Sequence, residues 1–366
     1  MRRALWKYLL PAAVLAFGLS ACQVHQWPVP QNDPPVIPEP GPEPEPGPEG
    51  PGHVTLRLRY DTDFRLWEHL YDPKQDGDPV EMYPDSDFDP GYPGTTAVYD
   101  NTVPSGLMDV RVKIYRSGNL SDCVAEYNFT RDVTEGYACE ADVALPQAQG
   151  SYEVVVWSQL LEDAGSAPFY EASDFRGIGI IKENYRGSTD WRDAFRGRAA
   201  FEIPDSRVCE VEMRRPMGKF EFVTVDLSEF LDNETKRRSL PTRANAEDYT
   251  VVISYPYYYP DGYNAVSDDI ASDSGYRFPT RMTVTGESEA SMGFDYVFIN
   301  NISDGHVQAS VAVYDLAGEQ VARSQTIMIP IRRDHHTVLH GTFLTLNSSG
   351  GVGIDPDYDG DHNIIP

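Results

Sequence analysis

From His53 onward apolar residues recur at every second position, a period that confines the chain to strands with one buried face. Val54, Leu56 and Leu58 alternate with Thr55, Arg57 and Arg59; Val110, Val112 and Ile114 alternate with Arg111, Lys113 and Tyr115. Similar runs occupy 123–129, 138–145, 152–157, 199–203 and 208–213, with Gly, Pro, Asp or Asn between them. A second series runs through 219–225, 249–255, 281–285, 294–299, 307–314, 324–331 and 337–345. Residues 227–231 and 191–195 suggest short helices, and neither carries a long amphipathic face. Many short strands with turn signals predict an all-β fold of sandwiches, and 366 residues predict two in series. The boundary falls near Arg215-Pro216, where proline interrupts ladder pairing, giving domains 53–215 and 216–366.

The first 21 residues read as a signal peptide: Arg2, Arg3 and Lys7 precede an apolar run over 8–19 that is too short to span a bilayer comfortably. The run ends in Leu19-Ser20-Ala21-Cys22, which resembles the lipobox of bacterial lipoproteins, in which the cysteine thiol takes a diacylglycerol. Cys22 is therefore the expected lipidation site, and several acyl chains on one residue suffice for stable anchoring without a transmembrane helix. The alternative is an ordinary secretory signal cut elsewhere. Residues 28–52 of the expected linker 22–52 hold 11 of the 29 prolines, interleaved with Glu39, Glu43, Glu45 and Glu49. Such a segment extends like polyproline at ~3.1 Å per residue, a reach of roughly 75 Å.

Charge narrows the function. Without its signal the chain carries 27 Lys+Arg against 57 Asp+Glu, so phosphate backbones are repelled and nucleic-acid binding is excluded. An aromatic content of 11% is too high for a wholly disordered polyanion. Ten acids crowd residues 61–92, read as an acidic surface-loop insertion in the first domain. Within it Asp85, Asp87 and Asp89 are spaced like ligands of a hard cation, as are Asp355, Asp357, Asp359 and Asp361 near the C-terminus. That second series lacks the closing bidentate Glu, because Pro366 stands there, so solvated acidic loops are the preferred reading of both and no metal is assigned.

No H-E-x-x-H, G-x-S-x-G, phosphate-binding glycine loop or paired CxxC is present, which points away from an enzyme and from any cofactor. Gly177-Ile178-Gly179 reads as a turn or bulge. His335 and His336 are adjacent on a strand and point to opposite faces, unsuited to one metal ion. Cys123 and Cys139 lie on consecutive expected strands, where a hairpin disulfide would leave Cys209 free; three unpaired thiols are the alternative. Tyr257, Tyr258, Tyr259 and Tyr263 offer rings on which sugars stack, against the plainer reading of a Tyr-Pro loop packed on its own domain.

Five segments in order carry a wider resemblance. They are Leu145-Pro-Gln-Ala-Gln-Gly150-Ser-Tyr-Glu-Val-Val-Val-Trp157, Trp191-Arg-Asp-Ala-Phe-Arg-Gly197 and Met213-Arg-Arg-Pro-Met-Gly-Lys-Phe220. Pro330-Ile-Arg-Arg-Asp-His-His-Thr-Val-Leu339 and Gly351-Val-Gly-Ile-Asp-Pro-Asp-Tyr-Asp-Gly-Asp361 complete them. With these the chain resembles lipoproteins of the Bacteroidales fimbrillin superfamily, the subunits of type V pili and their FimB-like anchor or accessory proteins. The resemblance implies two transthyretin-like Greek-key β-sandwiches, a lipid anchor in the outer membrane, exposure at the cell surface, and donor-strand assembly with other fimbrial subunits. Candidate donors are 352–366, or the first strand 54–58 if released. Neither Arg57, Arg59 nor Lys236-Arg237-Arg238 marks a maturation site, so an anchor or accessory subunit is expected rather than a stalk pilin. The competing expectation is a surface glycan-binding or adhesin lipoprotein.

Overall fold

Alternation in the sequence becomes alternation in burial. Along β1 (Gly52–Tyr60) Val54, Leu56 and Leu58 are at most 2% exposed, while Arg57 and Arg59 face water. The computed structural model describes residues 51–71, 80–81, 99–100, 104, 106–133, 138–301 and 305–345. After β1 come β2 (Phe64–Tyr71), β3 (Val80–Glu81), β4 (Tyr99–Asp100), β5 (Leu107–Arg116), β6 (Asn119–Asp132) and β7 (Ala138–Leu145). Next are β8 (Gly150–Leu161), β9 (Tyr170–Glu171), β10 (Ile178–Ile180), β11 (Ala194–Ile203), β12 (Val208–Arg214), β13 (Met217–Thr224) and β14 (Thr250–Asn264). The chain finishes with β15 (Asp269–Arg281), β16 (Thr283–Val284), β17 (Ala290–Phe298), β18 (Gly305–Tyr314), β19 (Gln320–Arg323), β20 (Ile327–Ile331) and β21 (His335–Gly341). The α-helix α1 (Leu227–Arg237) packs Leu227, Phe230 and Leu231 into the second core.

The fold is all-β. One seven-stranded sheet, in the order β6-β5-β8-β11-β12-β1-β7, surrounds the first core. Two further sheets face each other across the second: β16-β17-β13-β21-β2-β3 with β4 on β2, and β19-β18-β14-β10-β9 with β15 on β14 and β20 on β18. A third apolar cluster joins residues of both halves, among them Phe64, Trp157, Tyr170, Tyr263 and Phe298. Strand β8 therefore has no wet face: Val154 and Val156 fill the first core, Val155 and Trp157 the third cluster.

Three sequence readings are corrected here. Within the acidic 61–92 segment, residues 64–71 are not a loop; β2 runs parallel to β21, from Arg65 opposite His335 to Tyr71 opposite Gly341. The chain thus leaves the first sheet at Tyr60, contributes one strand to the second sandwich, and returns at β5. Residues 170–180 likewise lend β9 and β10 to the second sandwich, so Gly177-Ile178-Gly179 leads into a strand. Residues 191–195 do not form an α-helix, because a single 3-10 turn at Asp190–Arg192 passes directly into β11.

Candidate functional site

The strand that follows the linker is also a strand the first core requires. β1 lies inside the sheet, parallel to β12 on one side and antiparallel to β7 on the other. Val54 stands opposite Val143, and Leu56 and Leu58 stand opposite Cys209 and Val211, so three side chains fill a slot between β7 and β12. On the outer face Arg57 bridges both neighbours, reaching Glu140 at 2.5 Å and Glu210 at 2.7 Å. Arg59 reaches Glu210 at 3.0 Å. Each exposed pair is worth little in water. Together they fix the register of a strand whose energy comes from the buried side.

The two ends of this sheet face one another without forming a ladder. Tyr127 on β6 donates its hydroxyl to the Ala144 carbonyl of β7 and accepts from the Ala144 N–H, and Arg131 donates to the Glu140 carbonyl at 3.1 Å. This seam corrects the disulfide reading. Cys123, Cys139 and Cys209 are free. Because Tyr127 meets Ala144 and Arg131 meets Glu140, Cys139 falls opposite the C-terminal end of β6, roughly 30 Å along the strand from Cys123, far beyond disulfide reach. Burial pushes all three thiols up, Cys209 to about 11, which leaves them protonated and poorly reactive.

Where the halves meet, Arg215 is fully buried and holds three chain crossings together. Its guanidinium donates to the Asp193 carboxylate at 2.9 Å and to the Thr62 and Asp63 carbonyls at 2.7 and 3.2 Å, and it stacks over Phe64 at 3.9 Å. Beside it, Asp268 binds Arg196 of the first sheet at 3.3 Å and Arg333 of the second sandwich at 2.8 Å. These arginines line a cleft of ≈ 460 Å³ with Arg198, Arg214 and Asp334, and every arginine there has a carboxylate partner, so the cleft is an ion-paired joint.

Asp334 is the unsettled member. Its backbone is left-handed at φ 56°, and its Oδ1 is buried without a hydrogen-bond partner among the described residues. Burial, with the Asp61 charge adding, pushes its carboxyl up to about 6. The folded carboxyl holds its proton more tightly than the unfolded one. Its contribution is therefore favourable below about pH 4 and is lost as pH rises through about 6. Asp334→Asn keeps a residue suited to this backbone and removes the ionisation cost. Chemical denaturation should show a gain on the order of 1 kcal/mol at pH 7.5 that vanishes at pH 4; an equal effect at both would refute this reading.

The second sandwich holds a buried polar centre that the sequence reading missed. Asp295, 1% exposed, accepts from the Tyr185 and Tyr255 hydroxyls and pairs with Arg192. Arg192 also donates to the Tyr259 hydroxyl at 2.9 Å and lies 4.0 Å from the Tyr185 ring centre. Burial raises the Tyr185 and Tyr255 phenols well above their ordinary range, so they stay protonated donors. A carboxylate inside the apolar run Phe294-Asp295-Tyr296-Val297-Phe298, on the same side as core residue Val297, was the legible signal.

This centre divides the four candidate tyrosines. Tyr259 and Tyr263 are at most 1% exposed, which corrects their assignment as ligand rings: Tyr259 stacks on Tyr255 at 4.3 Å, and Tyr263 donates to Asp268. Tyr257 and Tyr258 stand in water, 63% and 74% exposed. His336 turns to Glu221 at 3.1 Å while the His335 ring lies edge-on 6.0 Å from Trp67, so the adjacent imidazoles diverge. Among the described residues no group of three or more His, Cys, Asp or Glu is arranged to hold a metal ion. Cys22, Asp85, Asp87, Asp89, Asp355, Asp357, Asp359 and Asp361 lie outside the described residues.

Similar solved structures include the fimbrial anchor protein Mfa2 from Porphyromonas gingivalis, at 11% identity and a TM-score of 0.37, covering 71% of this chain and 82% of that one. A fimbrial assembly protein from Parabacteroides distasonis has 12% identity and a TM-score of 0.36, covering 76% of this chain and 90% of that one. A structure titled as a candidate adhesin from Bacteroides thetaiotaomicron has 12% identity and a TM-score of 0.39, covering 75% and 79%. No curated protein matches the chain. A family model does, over residues 101–365, and the chain accordingly belongs to the family of unknown function described as DUF6562.

Proposed function

We propose that this chain is a non-enzymatic subunit of a surface fimbrium, an anchor or accessory subunit tethered to the outer membrane through lipid on Cys22. The observation that carries the reading is the position of β1, which emerges from the Pro-rich linker and fills the slot between β7 and β12 within its own first sheet. A tether leading straight into a doubly paired core strand transmits load to the fold in shear. A slot already filled in cis also needs no strand from a neighbour. Such a subunit ends a chain of strand donors, or joins one through another segment, for which 352–366 is the candidate.

The chemistry fits binding rather than turnover. Tyr185 and Tyr255, two phenols that burial keeps protonated, are enclosed and spent on Asp295, and Asp334, whose carboxyl burial raises, lines a cleft in which every arginine is already ion-paired.

Fractionation of cells carrying Cys22→Ser tests both halves of the proposal. The unaltered protein should sediment with the outer membrane and co-purify with a ladder of fimbrial subunits. The variant should appear in the soluble periplasmic fraction without them. A variant that stays on the membrane would remove the lipid anchor from the account, and unaltered protein purified without fimbrial subunits would remove the fimbrial role.

A further inference from the structure

The strand β14 carries two residues more than β15 between the pairs Tyr255 opposite Tyr276 and Tyr259 opposite Ser274. The surplus emerges as a bulge of Pro256, Tyr257 and Tyr258. Proline supplies no N–H to a ladder, and Tyr258 sits at φ 51°, a left-handed backbone that glycine adopts freely and a residue with a Cβ does not. A bulky aromatic held there runs against local preference, and such strain gathers where a side chain must be shown to a ligand.

The rings rise from a buried, hydrogen-bonded base. Tyr255 and Tyr259, on either side of the bulge, are buried, stacked, and tied to Asp295 and Arg192. The outer rings stand 6.4 Å apart with planes at 44°, making a shallow, open V. Further along the same strand pair Asp261 accepts from Ser272 and Ser274 at 2.7 Å each and pairs with Lys182 at 3.4 Å, which ties β14 to β15 past the bulge. Gly275 faces the bulge without a side chain, its missing Cβ 3.4 Å from the Pro256 carbonyl.

From this arrangement we infer that Tyr257 and Tyr258 form a stacking site for a neutral saccharide. A net charge of −27 repels anionic partners. The patch also lacks aliphatic surface: among the described residues the other exposed large apolar side chains, Leu70, Val208, Val225, Val284 and Leu316, all lie outside β14 and β15, and two rings alone are too small for a stable protein interface. A pyranose matches what remains. Its axial C–H bonds lie on the negative face of an aromatic ring, and its hydroxyls stay in the water around the open V.

Affinity electrophoresis of the full chain in detergent, through gels holding galactomannan, xylan, a β-glucan or chondroitin sulfate, tests it. At least one neutral polysaccharide should retard the protein, and Tyr257→Ala with Tyr258→Ala should weaken that retardation about tenfold. Tyr258→Gly is the sharper variant: it relaxes the backbone while deleting a ring, so the melting temperature should hold or rise as binding falls. No retardation by any neutral polymer, retardation unchanged in the variants, or binding to chondroitin sulfate alone would each overturn the site. So would concentration-dependent self-association that disappears in Tyr258→Gly, since the occupant would then be a second copy.

Discussion

Replacing Asp295 by alanine should cost about 4 kcal/mol of folding stability, the largest effect of any single substitution in the second sandwich. The carboxylate neutralises Arg192, which is 1% exposed, and receives the Tyr185 and Tyr255 hydroxyls together with the Tyr296 N–H at 2.8 Å. Its removal strands a buried cation and two buried phenols at once. Asparagine keeps an acceptor but loses the charge, and should fall between, at roughly half that loss. Replacing both partners, Arg192→Met with Asp295→Leu, should recover much of the stability, because a buried pair is costly to break and cheap to replace. Denaturant titration of the four proteins completes the cycle; a loss below about 1 kcal/mol in Asp295→Ala would show that water reaches the centre and that the Tyr257–Tyr258 bulge lacks a rigid base.

Much of the strand content was legible because burial there is strictly one-sided. β7 occupies the 138–145 expected from alternation, and β12 and β18 extend their expected runs by one and two residues. β15 was missed except at its end. Its Asp-Ile-Ala-Ser-Asp-Ser-Gly stretch is exposed or half-buried, and the ladder to β14 holds it in place of an apolar face. β2 was hidden differently: the acid count over 61–92 outweighed an apolar period in Phe64-Arg-Leu-Trp67-Glu-His69-Leu-Tyr71 that the parallel ladder to β21 reveals.

The misplaced site residues share one cause, the dependence of register on strands remote in sequence. Strict alternation would send Tyr257 and Tyr259 to one face. Only the residue count on β15 shows that a bulge intervenes and sends Tyr257 outward while Tyr259 stays inside. Likewise β6 and β7 are neighbours in sequence but opposite ends of a sheet, because β1 and β12, entering from distant positions, take the places a hairpin would have closed. Cys123 and Cys139 are separated along the strands, because the Tyr127–Ala144 and Arg131–Glu140 contacts put Cys139 opposite the far end of β6.

β1 is the plug of its own sandwich, held between β7 and β12, and complementation by a peptide measures this. Val54, Leu56 and Leu58 are each buried to 2% exposure or less. At ~1.5–3 kcal/mol per side chain their burial supplies roughly 6 kcal/mol, comparable to the whole stability of a domain. A chain beginning at Asp61 should therefore lose the cooperative melting of the first sandwich and aggregate through its open slot. Added in trans, a peptide of residues 52–60 should restore the transition in a concentration-dependent way, and the same peptide with Leu56→Asp should not. A truncated chain that melts like the intact one, indifferent to the peptide, would show that the tether strand merely lies on the fold, and the anchor reading built on it would fall.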